Sequence, residues 1–267
     1  GHYLGRAEFA GDPQRRMQRL WRDAGLTMSV GRVPISLPTG RTVGGSTAIN
    51  SGTCFRTPDA ILAQWRDELG FPSDFSSEGF APWLDAVEAE LQVAPADALH
   101  LGRIAQAVAR GAAAMGGTHG PLLRNAPSCD GQGVCAIGCP TDAKRSTNVS
   151  YIPRALQASA TLFTGLPVRR VLRRGREAIA VEARGHDRHG APKVLRIKAR
   201  AVVVATGTLS SPGLLRDSGV NLPWIGRNLS IHPALGMFAM FEHATEPWKA
   251  IPQSYGAHGL MHESVRF

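Results

Sequence analysis

Residues 41–52 read RTVGGSTAINSG, and their types allow three kinds of chemistry. Gly44-Gly45-Ser46-Thr47-Ala48 approaches the G-x-S-x-G pattern of a serine nucleophile, with alanine in the last place. The same glycines would let backbone N–H groups close around a phosphate, with Ser46 and Thr47 adding hydroxyl donors and Arg41 adding charge. A Gly-Gly pair is also an ordinary turn. A nucleophile elbow needs a buried strand before its serine, and residues 35–40, ISLPTG, make a poor one. Asp217 and His232 would nonetheless follow Ser46 in the chain order of a hydrolase triad. A phosphate cradle asks for less.

The four cysteines raise a second possibility. Cys129, Cys135 and Cys139 are spaced C-x5-C-x3-C and followed by Pro140, with Cys54 as a distant fourth. Ferredoxin-type iron–sulfur runs use two-residue gaps, so a thiol or disulfide loop is the simpler expectation and a metal-binding module the alternative. His258 and His262 lie four apart, but Gly259 weakens a helix there and no glutamate follows His258, which argues against a zinc pair. Gly131-Gln-Gly133-Val-Cys-Ala136 satisfies G-x-G-x-x-A as letters. No strand is expected before it and no helix after it, so a dinucleotide role does not follow.

Ordinary elements must hold these stretches. Asp12-Pro13 ahead of Met17, Leu20, Trp21 and Ala24, with Gly25 behind, predicts a short amphipathic helix. Thr57-Pro58 opens another, with Ile61, Leu62, Trp65 and Leu69 on one face and Gly70 as the stop. Helices are also predicted over 78–91, interrupted early by Pro82, and over 101–115, closed by Gly116-Gly117. From Thr161 the period shortens: runs at 162–163, 168–172, 178–183 and 194–199, split by Gly175 and a polar turn over 185–190, predict an antiparallel meander. Residues 201–205, AVVVA, predict a parallel strand buried on both faces, ending in Thr206-Gly207 before a helix opened by Ser211-Pro212. Residues 234–241 predict one strand more. The resulting class is α/β.

The formal charge of +9 is carried almost wholly by arginine, since lysine occurs only at 144, 193, 198 and 249. The basic residues are dispersed and lack interleaved aromatics, which argues against nucleic acid as a partner. No apolar run approaches the roughly 18 residues of a membrane span, and no basic-then-apolar leader opens the chain. A soluble, cytoplasmic protein with reduced thiols is expected. The chain starts on Gly1 and stops at Phe267 without natural punctuation, and is expected to be a segment of a longer protein.

Taken together, the stretches resemble the glucose-methanol-choline (GMC) family of FAD-dependent oxidoreductases. Gly40-Arg41-Thr-Val-Gly44-Gly45-Ser46-Thr47-Ala-Ile49-Asn50-Ser-Gly52-Thr53 is similar to the family's first signature. Residues 205–220, ATGTLSSPGLLRDSGV, resemble the second, and residues 225–233, IGRNLSIHP, the segment after it. The cysteine loop, with Cys139-Pro-Thr-Asp-Ala-Lys144-Arg-Ser146 and Tyr151-Ile-Pro153, is similar to a branch near the long-chain alcohol oxidases and choline-dehydrogenase-like flavoproteins.

That resemblance implies part of a doubly wound FAD-binding domain with a meander, over 1–56 and 161–233. It also implies a mostly helical insertion with the cysteine loop over 57–160, and the start of an antiparallel substrate-domain sheet over 234–267. Arg41, Gly44, Gly45, Ser46, Thr47, Asn50, Gly52 and Thr53 would pass the FAD, the glycines near its pyrophosphate and Asn50 and Gly52 near the flavin ring. Val168 matches the position whose backbone meets the adenine, and Thr206 and Gly207 lie where the sheet meets the cofactor. Some members bond the flavin covalently through a histidine just before the asparagine; Ile49 stands there, so non-covalent FAD is expected. The implied partners are a small-molecule alcohol and an electron acceptor, O2 or another. The family's opening G-x-G-x-x-G fingerprint and closing catalytic histidine region are not in these residues, so the resemblance assigns no catalytic base. His232 belongs to another motif.

Overall fold

A computed structural model describes residues 12–187, 189–231 and 236–258. The expectations placed on Gly1, on His232 and Pro233, on Ala234, and on Gly259 and His262 lie outside the described residues. The chain divides into two compact units, 1–161 with 238–267, and 162–237.

In the first unit, helix α1 (Pro13–Leu20) starts as its sequence demands: Pro13 takes the first turn, where no N–H is needed, and the Asp12 carboxylate accepts from the Gln14 N–H at 2.9 Å. The helix stops at Leu20, short of the predicted Gly25, because the next residues pair elsewhere. Arg22 N donates to Thr39 O at 2.8 Å, Arg41 N donates to Leu20 O at 2.6 Å, and Trp21 bridges Gly40. Leu20 and Ile49 are buried together under Trp21. The return strand of this contact is therefore the glycine loop itself.

Helix α2 (Asp59–Leu69) buries Leu62 and ends on Gly70 at φ +68°, a left-handed stop. Helix α3 (Ser77–Leu91) is capped by Ser76 and continues through Pro82, which does not interrupt it. Arg56 donates to Asp85 and Glu88 on α3, fixing the chain between the glycine loop and α2. Short strands β1 (Ala94–Pro95), β2 (His119–Pro121) and β3 (Leu123–Arg124) flank helix α4 (Gly102–Ala114), which buries Ala105 and Ala112. Helix α5 (Tyr151–Gln157) follows the cysteine loop. β1 pairs antiparallel with β3.

The second unit is the meander that alternation and turns predict: β4 (Val168–Arg174), β5 (Glu177–His186) and β6 (Pro192–Lys198), antiparallel in that order. Val171, Ala180 and Ala183 are buried. Helix α6 (Gly207–Asp217) packs on β4, and Ser218 at its end accepts from the Val171 N–H at 2.8 Å. It begins four residues before the expected Ser211 and carries Pro212 inside it. Residues 201–205 form no strand: no ladder partner lies beside them among the described residues, and Val203 is exposed. The expected strand over 234–241 is likewise absent over its described part, where Met237, Phe238 and Met240 are exposed. Strand β7 (Tyr255–Ala257), in the first unit, pairs instead with β2.

Candidate cofactor site

The glycine loop is a tight turn, built on Gly44 at φ +90° and Gly45 at φ +54°, that runs into a single 3-10 turn over Gly45–Ala48. Left-handed backbone on two successive residues is why glycine stands at both. The turn is cross-braced. Gly45 N donates to Thr42 O at 2.9 Å, Gly40 N donates to Ser46 Oγ at 3.0 Å, and Thr47 Oγ1 donates to Gly44 O at 2.6 Å. Thr147, from beyond the cysteine loop, donates its N–H to Thr47 Oγ1 at 3.1 Å and its hydroxyl to Gly44 O at 3.2 Å.

This wiring decides between the chemistries open to the sequence. Ser46 follows no strand, and its Oγ is committed to the Gly40 N–H, so the geometry of a nucleophile elbow is absent. The N–H groups of Gly45 and Thr47 are bonded within the turn, so they give shape rather than free donors. Outward, the loop presents Arg41, Ser46 and Asn50, all exposed, and the bare Cα of Gly45, with nothing within 4 Å of where a Cβ would stand. A flat group can approach the backbone there.

The underside is different. Lys144 is 2% exposed, and its ammonium donates to Ala48 O at 3.0 Å, Asn50 O at 2.5 Å and Cys135 O at 3.0 Å. All three protons are used. Arg124, also 2% exposed, donates to Ser51 O, to Pro252 O at 3.0 Å and to Cys135 Sγ at 3.2 Å. Burial pushes the Lys144 ammonium down to about 8, against the opposing influence of Cys135 and Cys139. Two cations therefore sit beneath the carbonyls of residues 48–51.

The tail of the loop is pinned to β3. Asn125 N donates to Gly52 O at 3.0 Å, Cys54 N donates to Leu123 O at 2.9 Å, and Thr53 bridges Arg124. Gly52, at φ +76°, would place a Cβ 2.6 Å from Asn125 Oδ1. Thr53 Oγ1 donates to Gln253 Oε1 at 3.3 Å. Asn50 Oδ1 accepts from Gly52 N at 3.2 Å. Buried Arg124 Nε and Asn125 Oδ1 lack partners among the described residues. The exposed Arg41 and Ser46, beside the bare edge of Gly45, fit a polar, anionic cofactor.

The sequence alone gives no role to Lys144 or Arg124. The available signal was the rarity of lysine and the position of Lys144 five residues after Cys139. The cysteines are all free. Burial pushes the Cys54 and Cys129 thiols up, and Lys144 N donates to Cys139 Sγ at 3.3 Å. Among the described residues no group of three or more His, Cys, Asp and Glu side chains is arranged for a metal ion. The G-x-G-x-x-A letters are packing: a Cβ on Gly131 would stand 2.4 Å from His100 Nδ1, and one on Gly133 2.8 Å from Ala250 O.

The remaining candidates belong to the second unit. Val168 opens β4 opposite Ala183. Thr206 stands at the N-terminus of α6 with its Oγ1 2.9 Å from Ser211 Oγ, and Gly207, at φ +81°, has open space on its Cβ side.

Residues 17–234 match the family described as GMC oxidoreductase. An uncharacterized GMC-type oxidoreductase of Mycobacterium tuberculosis is 39% identical over 94% of this chain and 39% of its own length. Another from Sinorhizobium fredii is 34% identical over 85% of this chain and 44% of its own. A long-chain-alcohol oxidase of Arabidopsis thaliana is 29% identical over 90% and 33%. An FAD-dependent oxidoreductase from Chaetomium thermophilum, solved in complex with a fragment, shares the fold with a TM-score of 0.52 and 15% identity over 76% of this chain and 41% of its own. The chain spans about two fifths of the length of its bacterial relatives. With the family matched over more than half of its residues, the chain belongs to the GMC oxidoreductases.

Proposed function

We propose that this chain is part of an FAD-dependent oxidoreductase that oxidises the CH–OH group of an alcohol, holding its FAD without a covalent bond. The observation that carries this reading is the glycine turn, braced from below by Lys144 and Arg124 and bare above Gly45. FAD would supply the hydride acceptor, at N5 of its ring, and O2 or another acceptor would reoxidise it.

In this reading Gly44 and Gly45 let the backbone approach the cofactor, Arg41, Ser46 and Thr47 flank it, and Asn50, Gly52 and Thr53 continue along it. Val168 serves the adenine, and Thr206 and Gly207 stand where the sheet meets the cofactor. Lys144 and Arg124 act through the loop: they fix its carbonyls and put positive charge under a group that becomes more anionic on reduction. None of the described side chains is assigned as the base that takes the alcohol proton. Residues 1–56 and 161–233 are assigned to the flavin domain, 57–160 to the insertion and 234–267 to the substrate domain. No nucleic acid is needed as a partner, and among the described residues no helix is long and apolar enough to cross a membrane. Four free cysteines suit the cytoplasm.

Anaerobic addition of a long-chain primary alcohol to the intact flavin-loaded protein is expected to bleach its flavin absorption. Bleaching by dithionite but by no alcohol would remove the substrate class and leave the cofactor standing.

A further inference from the structure

The cofactor reading leaves the chain's charge unexplained. Residues 162–237 contain thirteen Lys and Arg against four Asp and Glu, an excess of nine that equals the net charge of the whole chain. The meander unit is the basic one, and the other unit is balanced.

The sheet register concentrates part of this charge on one face. Arg170 pairs with Glu182 across β4 and β5, and Glu182 with Arg196 across β5 and β6. Arg184 lies two residues along on the same face. The Glu182 carboxylate is buried at the centre and accepts from Arg196 Nε at 3.0 Å, Arg170 at 3.2 Å and Arg184 at 3.4 Å. The three guanidiniums line a cavity of about 430 Å³ together with Glu182 and Val194. Their side chains remain 46%, 61% and 64% exposed for Arg170, Arg184 and Arg196.

Stability accounts for only part of this arrangement. The buried Glu182 carboxylate needs a cation beside it, but three guanidiniums gathered on one face oppose one another. One carboxylate neutralises one of three cations, which leaves two positive charges around the rim. Each guanidinium has five N–H donors and gives one nitrogen to Glu182, so donors remain for a second anion. Arginine forks match the oxygens of phosphate, and a phosphate monoester carries about −1.5 to −2 at neutral pH, which matches the rim.

We propose that the basin formed by Arg170, Arg184 and Arg196 over Glu182 binds a terminal phosphate group, carried by a small phosphorylated molecule or by an acidic lipid. Glu182 holds the forks in place from below, and the outward N–H groups of the arginines donate to the phosphate oxygens. The proposal is independent of the flavin chemistry.

The test uses the intact protein and two probes. Inorganic phosphate is titrated at constant ionic strength and followed by 31P NMR, and sedimentation is measured with vesicles of phosphatidate or of phosphatidylcholine alone. Saturable phosphate binding that weakens about tenfold in Arg184→Gln, and is unchanged in the surface control Arg110→Gln, supports a small phosphorylated ligand. Sedimentation with phosphatidate but not phosphatidylcholine, lost in Arg184→Gln and kept in Arg110→Gln, supports the lipid source. Arg184→Lys should recover only part of either, because it restores charge without the fork. Absence of both kinds of binding, or binding equal in native and Arg184→Gln protein, overturns the site.

Discussion

Lys144→Met is expected to destabilise the protein by about 3 kcal/mol at pH 7, measured by urea unfolding. The methionine stem fills the same volume but leaves the carbonyls of Ala48, Asn50 and Cys135 without their donor. A buried group left unsatisfied costs roughly 1–3 kcal/mol, and removal of a buried charge returns part of that sum. The pH dependence has a definite sign. The folded-state value near 8 lies below the ordinary lysine value of 10.5, so between them the unfolded chain binds more protons. Native protein therefore gains stability relative to Lys144→Met as pH rises through this window, by up to about 3 kcal/mol. A gap that stays constant from pH 7 to 10.5 would mean that the ammonium is not desolvated as its burial requires.

Gly40→Ala should also cost about 3 kcal/mol, and for a different reason. Its Cβ would stand 2.3 Å from Gly45 O, 2.5 Å from Gly45 C and 2.8 Å from Ser46 N. These are backbone atoms of the turn, so relief requires the turn to open and to give up the Gly40 N–H to Ser46 Oγ bond. Gly45→Ala is the contrast. It meets no atom within 4 Å and carries only the strain of φ +54°, about 1 kcal/mol. If the bare edge of Gly45 is where FAD passes, Gly45→Ala should lose affinity for FAD well beyond its loss of stability. Equal affinity in Gly45→Ala and native protein would move the cofactor off this edge.

The elements that the sequence announces are those with local signals. Asp12-Pro13 and Gly70 mark helix ends through caps that act within a few residues, and the β4–β5–β6 meander carries its own alternation and turns. The two- and three-residue strands carry no period. His119 meets Ala257 only after the intervening chain has folded, and nothing in HGP or YGA foretells it. Residues 201–205 have the composition of a buried parallel strand, but composition supplies no partner.

The site divides in the same way. The glycine turn was legible because left-handed backbone demands glycine at 44 and 45. Its supports were not. Lys144 and Arg124 look like surface cations in a basic chain, and only the fold brings them under the carbonyls of residues 48–51.

The most direct test of the central claim is the flavin content of the intact purified protein after acid precipitation. The account predicts one FAD per chain in the supernatant, identified by its absorption and chromatographic mobility, because Ile49 leaves no side chain to bond the ring. Flavin retained on the precipitate would contradict the non-covalent assignment, and protein that neither carries nor takes up FAD would contradict the cofactor site itself.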